Sequence, residues 1–186
     1  MTLTLILMRH AKSAWDDPHL ADHERPLNRR GHTAAKAMGE WMRAKGHLPD
    51  IAVSSDSTRT SQTAERLGFD VPVSFTRKLY LTGPAVMMEV LHNQTAPCVL
   101  MLGHNPGVAD FADRLVTQPT HHPGFSAYPT GAVTVIRFDA STWNDIGWRN
   151  GQPIDFAVPR EVMKYCLLYT SPSPRDQRGS RMPSSA

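Results

Sequence analysis

The sequence predicts an α/β protein, a three-layer sandwich with a mostly parallel central sheet and helices on both faces. Three observations carry that expectation. Residues 2–8 (TLTLILM) and 97–103 (PCVLMLG) are continuous apolar runs, as expected of strands buried on both faces rather than one. Segments with apolar spacings of three and four separate the strand candidates, giving the strand–helix alternation of a parallel sheet. Glycines stand where helices need a stop, at Gly46 and Gly68.

The elements follow in order. The first strand, residues 2–8, delivers Arg9-His10, and a polar segment at 13–28 with Trp15, two acidic clusters and two prolines forms a loop over whatever lies at that strand end. A helix starts near Arg30-Gly31 with Ala34, Met38, Trp41 and Met42 on one face. Residues 48–55 make a second strand ending in serines, and 56–68 a helix with a polar first turn. A third strand at 71–75 and a helix at 84–92 precede the buried strand 97–103, which runs into His104-Asn105-Pro106-Gly107. A helix at 108–116, a Pro/His/Gly-rich loop at 118–129, a strand at 131–138 and an edge strand at 154–158 complete the core. Residues 1–165 thus read as one domain. From Cys166 the chain turns rich in Ser, Pro and Arg without periodicity, which reads as a disordered or artefactual tail at 166–186.

At 186 residues the chain can bury a core without disulfides or metals. Its two cysteines, Cys98 and Cys166, form no C-x-x-C pair or zinc spacing, which fits a reducing, cytoplasmic setting. The N-terminal apolar run is too short to span a membrane and lacks the flanks of a signal peptide. A net charge of +3 invites a nucleic-acid reading, but Arg175, Arg178 and Arg181 against Asp176 place two of those charges in the tail. The body is nearly neutral, so no nucleic-acid partner is expected.

In open α/β sheets ligands bind beyond the carboxyl ends of the strands. Two strands end in histidine, His10 and His104, and a third ends one turn before Arg59. With Arg9, that edge gathers two imidazoles and two guanidiniums. Guanidinium forks match phosphoryl oxygens bidentately, and a helix N-terminus adds N–H donors. A neutral imidazole can attack phosphorus and carry the group covalently. Such a cluster neutralises charge by itself, so no metal or cofactor is expected.

These residues carry a resemblance. Residues 7–13 (LMRHAKS) resemble the signature of the histidine phosphatase superfamily, the phosphoglycerate-mutase-like or RHG group. The likeness continues through Pro26-Leu27-Asn28-Arg29-Arg30-Gly31, residues 54–64 with Arg59 and Gln62-Thr63, and residues 103–107. The HAKS start and Tyr128-Pro129-Thr130-Gly131 look most like the short SixA-type branch of phosphohistidine phosphatases. The resemblance implies that His10 is the nucleophile, and that Arg9, Arg59 and His104 hold the phosphoryl oxygens. Ser13 would bind phosphate or cap a turn. Ala11-Lys12 replaces the Gly-Glu of many relatives, and Lys12 either adds to the site's field or points to solvent. The glutamate acid of the larger relatives has no evident counterpart, so Asp16, Asp17, Asp22 or Glu89 is the general-acid candidate.

The expected activity is metal-independent hydrolysis of a phosphoramidate or phosphomonoester through a phosphohistidine on His10. The expected partner is a phosphorylated protein, with a small phosphorylated metabolite as the alternative. A non-catalytic phosphate-binding regulatory module is the alternative of another class. The remaining histidines have plainer readings: His19 and His23 as loop residues in solvent, His121-His122 as an exposed pair.

Overall fold

Strand β1 (Thr2–Arg9) lies inside the sheet because neither of its faces is polar. Leu5 and Leu7 enter the core on one side, and Ile6 and Met8 enter it on the other. Full burial of each such side chain contributes about 1.5–3 kcal/mol before entropy is counted. The computed structural model describes residues 2–170.

After β1 come α1 (Arg29–Ala44), β2 (Ile51–Ser55), α2 (Thr58–Leu67), β3 (Val73–Thr76) and α3 (Pro84–His92). Then follow β4 (Cys98–Gly103), α4 (Gly107–Leu115), β5 (Val133–Asp139), β6 (Gln152–Ala157) and α5 (Pro159–Thr170). The sheet order is β3-β2-β4-β1-β5-β6. Strands β1 to β4 are mutually parallel, β5 runs antiparallel to β1, and β6 antiparallel to β5. One strand, β5, is therefore reversed in an otherwise codirectional sheet.

Met38 and Met42 of α1, Leu67 of α2 and Val162 of α5 cover one face, against Ile6 and Met8. Met87 and Leu91 of α3 and Val108, Phe111 and Leu115 of α4 cover the other, against Leu5 and Leu7. The three-layer expectation is met, with every expected strand and helix present within a few residues of its expected limits. Helix α1 starts at Arg29 because the Asn28 side chain accepts from the Gly31 N–H at 2.8 Å. Helix α2 ends at Gly68, whose φ of 70° suits glycine.

One element departs from expectation. Helix α5 runs to Thr170, through the expected tail boundary at Cys166. Pro159 suits a first helical turn, but the Ser/Pro/Arg-rich sequence that follows masked the short helical stretch before it. The rest of the expected tail, 171–186, lies outside the described residues.

The topology places the chemistry. Adjacent strands β2, β4 and β1 end in Ser55, Gly103-His104 and Arg9-His10, all at one edge. From β1 the chain crosses to β2 on one side, and from β4 to β5 on the other. The crevice therefore falls at the point where the connections diverge, the usual ligand position in such sheets.

Candidate active site

His10 leaves β1 with its N–H donating to the Gly103 carbonyl at 3.1 Å, which fixes it beside the end of β4. Its Nδ1 lies 2.7 Å from the Ala11 carbonyl oxygen. A carbonyl only accepts, so Nδ1 carries the proton and the Nε2 lone pair is left for other chemistry. The Ala11 N–H in turn donates to Thr63 Oγ1 at 3.1 Å, and Thr63 Oγ1 donates to the Arg59 carbonyl at 2.6 Å. Helix α2 thus steadies the histidine through one hydroxyl. Burial, helped by the Arg59 and Arg9 charges, pushes the His10 pKa down to about 4, so the ring is neutral at pH 7.

Arg59, in the first turn of α2, is buried at 4% exposure. A cation there opposes the helix dipole and calls for an anion. Asp22 supplies one: Arg59 Nη2 donates to Asp22 Oδ2 at 2.9 Å, and Nη1 donates to the Asp22 carbonyl. The Tyr80 hydroxyl donates to the same Asp22 Oδ2 at 2.6 Å. The Tyr80 hydrogen bond and the Arg59 contact hold the Asp22 carboxyl below the usual carboxylate range. Asp22 is thus a carboxylate on the Arg59 fork.

His104 is 2% exposed, with its ring centroid 5.1 Å from that of His10 and 5.3 Å from that of Tyr80. Arg59 Nη2 donates to His104 Nδ1 at 3.3 Å, so the proton sits on Nε2, which donates to Ser55 Oγ at 2.9 Å. Burial first, then the His10 and Arg59 charges, lowers its pKa to about 3.

Arg9 Nη1 donates to the Tyr128 carbonyl at 2.9 Å, an oxygen that also accepts from Asn105 Nδ2 at 3.1 Å. The buried Nε of Arg9 has no acceptor among the described residues. An unpaired buried donor is costly in a fold and common at a binding site. Tyr128 itself is fully buried at a φ of 43°, and its hydroxyl donates to the Leu7 carbonyl at 2.8 Å. Such a left-handed non-glycine residue persists only where its surroundings hold it.

The structure therefore brings Arg9, His10, Arg59 and His104 together. Ser13 is buried and bridges Leu27 across the first loop, with no hydrogen bond to the cluster. Lys12 is exposed and lines a neighbouring cavity. Of the acid candidates, Asp16, Asp17 and Glu89 are exposed, and among the described residues their side chains form no hydrogen bond or ion pair with the cluster. Asp22 reaches the cluster, where the Tyr80 hydrogen bond and Arg59 favour its ionised form. His23 is not a free loop residue: its Nε2 lies 2.8 Å from Asp56 Oδ1 and its ring packs edge-on to Tyr80 at 4.8 Å. His122 faces Glu161 at 3.0 Å, away from the cluster. Tyr80, Ser55 and Tyr128 were not anticipated as partners. Tyr80 stands in a short turn after β3 with no motif around it. Ser55 could have been noticed as the carboxyl end of a strand neighbouring both histidines. Among the described residues no group of three or more His, Cys, Asp or Glu could hold a metal ion, and no helix is long and apolar enough to cross a membrane.

The sequence model of the histidine phosphatase superfamily (branch 1) matches residues 5–80, which include Arg9, His10, Arg59 and Tyr80. An uncharacterised protein of Mycobacterium tuberculosis is 32% identical over 160 residues, covering 82% of this chain and 100% of its own length. A solved structure from Nakamurella multipartitia, named for the phosphohistidine phosphatase SixA, superposes with a TM-score of 0.75 at 29% identity. It covers 86% of this chain and 97% of that one. The protein histidine phosphatase SixA solved with tungstate shares the fold, with a TM-score of 0.69 at 20% identity over 86% of this chain and 99% of that one. This chain belongs to the histidine phosphatase superfamily, in its SixA-like branch. Membership and these neighbours support phosphatase activity.

Proposed function

We propose that the protein removes the phosphoryl group from phosphohistidine on a protein, through a covalent phosphohistidine on its own His10. The observation that carries this reading is the pairing of a neutral His10, its Nε2 lone pair free, with an ionised Asp22, the carboxyl that reaches the cluster among the described residues. A phosphomonoester leaves as an alkoxide and needs a proton donor. A phosphohistidine ring that takes a proton from solvent on its other nitrogen leaves as neutral imidazole, whose conjugate acid has a pKa of about 6.5, and needs no acid from the protein.

The incoming phosphoryl group displaces Asp22 from the Arg59 fork, and Arg9 adds its free Nε–H. His104 donates once its ring proton has moved from Nε2 to Nδ1, with Ser55 then donating to Nε2. His10 Nε2 attacks phosphorus as the phosphorus–nitrogen bond to the substrate breaks, and the substrate ring, already protonated by solvent on its other nitrogen, departs as neutral imidazole. Water then attacks phosphorus on His10, releasing inorganic phosphate and a proton and restoring the neutral ring. Only positioning and charge stabilisation are asked of the protein.

The test compares a phosphohistidine-bearing protein with para-nitrophenyl phosphate, using the wild type and His10→Ala. A strong preference for phosphohistidine, lost in the variant, is expected. Preference for small phosphomonoesters would move the substrate to metabolites. Phosphate binding without turnover of either substrate would favour a regulatory module.

A further inference from the structure

Beside the His10 cluster lies a second feature that the proposed chemistry does not use. A groove of about 1020 Å³ opens between the N-terminal turns of α1 and α5. Its rim carries Lys12, Arg29, Arg30, Arg160 and Lys164, and among the described residues no carboxylate lines it. None of these five takes part in an ion pair formed among the described residues. Surface cations are commonly interspersed with acids, and here the acids are absent or turned away. The first turn of α1 has none. The acid in the first turn of α5, Glu161, is taken by His122 at 3.0 Å. Both helix N-termini add positive potential of their own.

The groove adjoins the candidate active site. Lys12 is two residues from His10, and Thr130 precedes Gly131, whose N–H donates to the His10 carbonyl at 2.9 Å. Its walls, by contrast, are apolar, with Val158, Pro159 and Met163 from the α5 side and Pro129 and Ala34 opposite. An apolar floor with a charged rim is the anatomy of a protein interface rather than of a phosphate pocket.

We infer that this groove seats an acidic segment of the phosphoprotein substrate, next to its phosphohistidine. The inference rests on the reading that the substrate is protein phosphohistidine. Five unpaired cations steer an acidic partner towards His10 and reject a basic one, while the apolar walls take the segment's aliphatic stems. Arg30 and Lys164 come from the two opposite helices and are specificity residues in this scheme, without a part in the phosphoryl transfer.

The test uses two synthetic phosphohistidine peptides of one length, flanked on both sides by Glu in one and by Gln in the other. Phosphate release is measured with the wild type and with the double variant Arg30→Glu/Lys164→Glu, and para-nitrophenyl phosphate serves as the control. Anisotropy of the labelled unphosphorylated peptides follows binding independently of turnover. The wild type is expected to favour the Glu peptide in kcat/KM by at least about tenfold, less so as salt rises. The double variant should lose that preference while turning over para-nitrophenyl phosphate at the wild-type rate. Equal handling of the two peptides by the wild type, or a preference untouched in the variant, would overturn the inference. Inhibition by inorganic tripolyphosphate without any peptide preference would also overturn it, in favour of a small polyanion. If neither peptide is turned over but the Glu peptide binds the wild type more tightly than the variant, the substrate reading fails and the groove stands.

Discussion

Two buried neutral histidines should make the fold acid-sensitive in a way that can be assigned to single residues. In the folded protein burial holds His10 near a pKa of about 4 and His104 near about 3. In the unfolded chain each returns to roughly 6.5. The folded values are depressed, so the unfolded state binds more protons in acid. The stability is therefore full above pH 6.5 and is lost as the pH falls towards 4. At pH 5 nearly all of an unfolded imidazole is protonated, but only about a tenth of His10 in the fold. That difference removes about 2 kcal/mol of stability per histidine relative to pH 7, and about 4 kcal/mol for the pair. In His10→Asn one of these contributions disappears, and the asparagine amide can still donate to the Ala11 carbonyl. Urea unfolding followed by tryptophan fluorescence at pH 7 and pH 5 should show the variant losing about 2 kcal/mol less than the wild type. Titrating groups distant from His10 contribute to both proteins and cancel in the comparison, and His104, whose pKa of about 3 His10 helps to lower, is almost unprotonated in the fold at pH 5, so its contribution changes little. Equal losses would refute the neutral, buried state of His10, and with it the argument for a free lone pair at pH 7.

Three further outcomes are expected. If Asp22 guards the Arg59 fork, Asp22→Asn should lower KM for para-nitrophenyl phosphate by about three- to tenfold, allowing for its exposure to solvent. A general acid would instead cost about 10²–10⁴ in kcat, which steady-state kinetics separates cleanly. A Cβ at Gly107 would run into the Thr82 carbonyl, while one at Gly147 meets nothing within 4 Å. Gly107→Ala should therefore cost about 1–3 kcal/mol and Gly147→Ala under about 0.5 kcal/mol, read from Tm. Because arginine and histidine side chains supply the charge at the cluster, turnover should survive EDTA; a strict metal requirement would contradict that division of labour.

Much of this was legible in the sequence because buried parallel strands leave an unambiguous mark. TLTLILM and CVLMLG have no polar face, so their place in the sheet, and the exit of His10 and His104 at its edge, followed from residue type alone. Arg59 could be found from its awkward position in a helix's first turn. What local pattern could not give was long-range pairing. The contact of Asp22 with Arg59 joins positions 37 apart, and that of Tyr80 with Asp22 joins positions 58 apart. No spacing rule connects them, so Asp22 read as an acid and Tyr80 went unnoticed. Helix α5 was lost for a different reason: its twelve residues abut a compositionally odd stretch that dominated the window. The basic groove was hidden because Lys12, Arg29, Arg30, Arg160 and Lys164 are scattered along the chain and meet only when α1 and α5 pack side by side.

The most direct test of the central claim is to trap the intermediate. The wild type and His10→Ala are mixed with a phosphorylated substrate, quenched in alkali, and mapped by mass spectrometry of the peptide containing residue 10. A phosphoryl group on His10 of the wild type, stable to base, labile to acid and absent from a variant that no longer turns over, is the predicted result. Turnover by His10→Ala, or a label carried on any other residue, would contradict it.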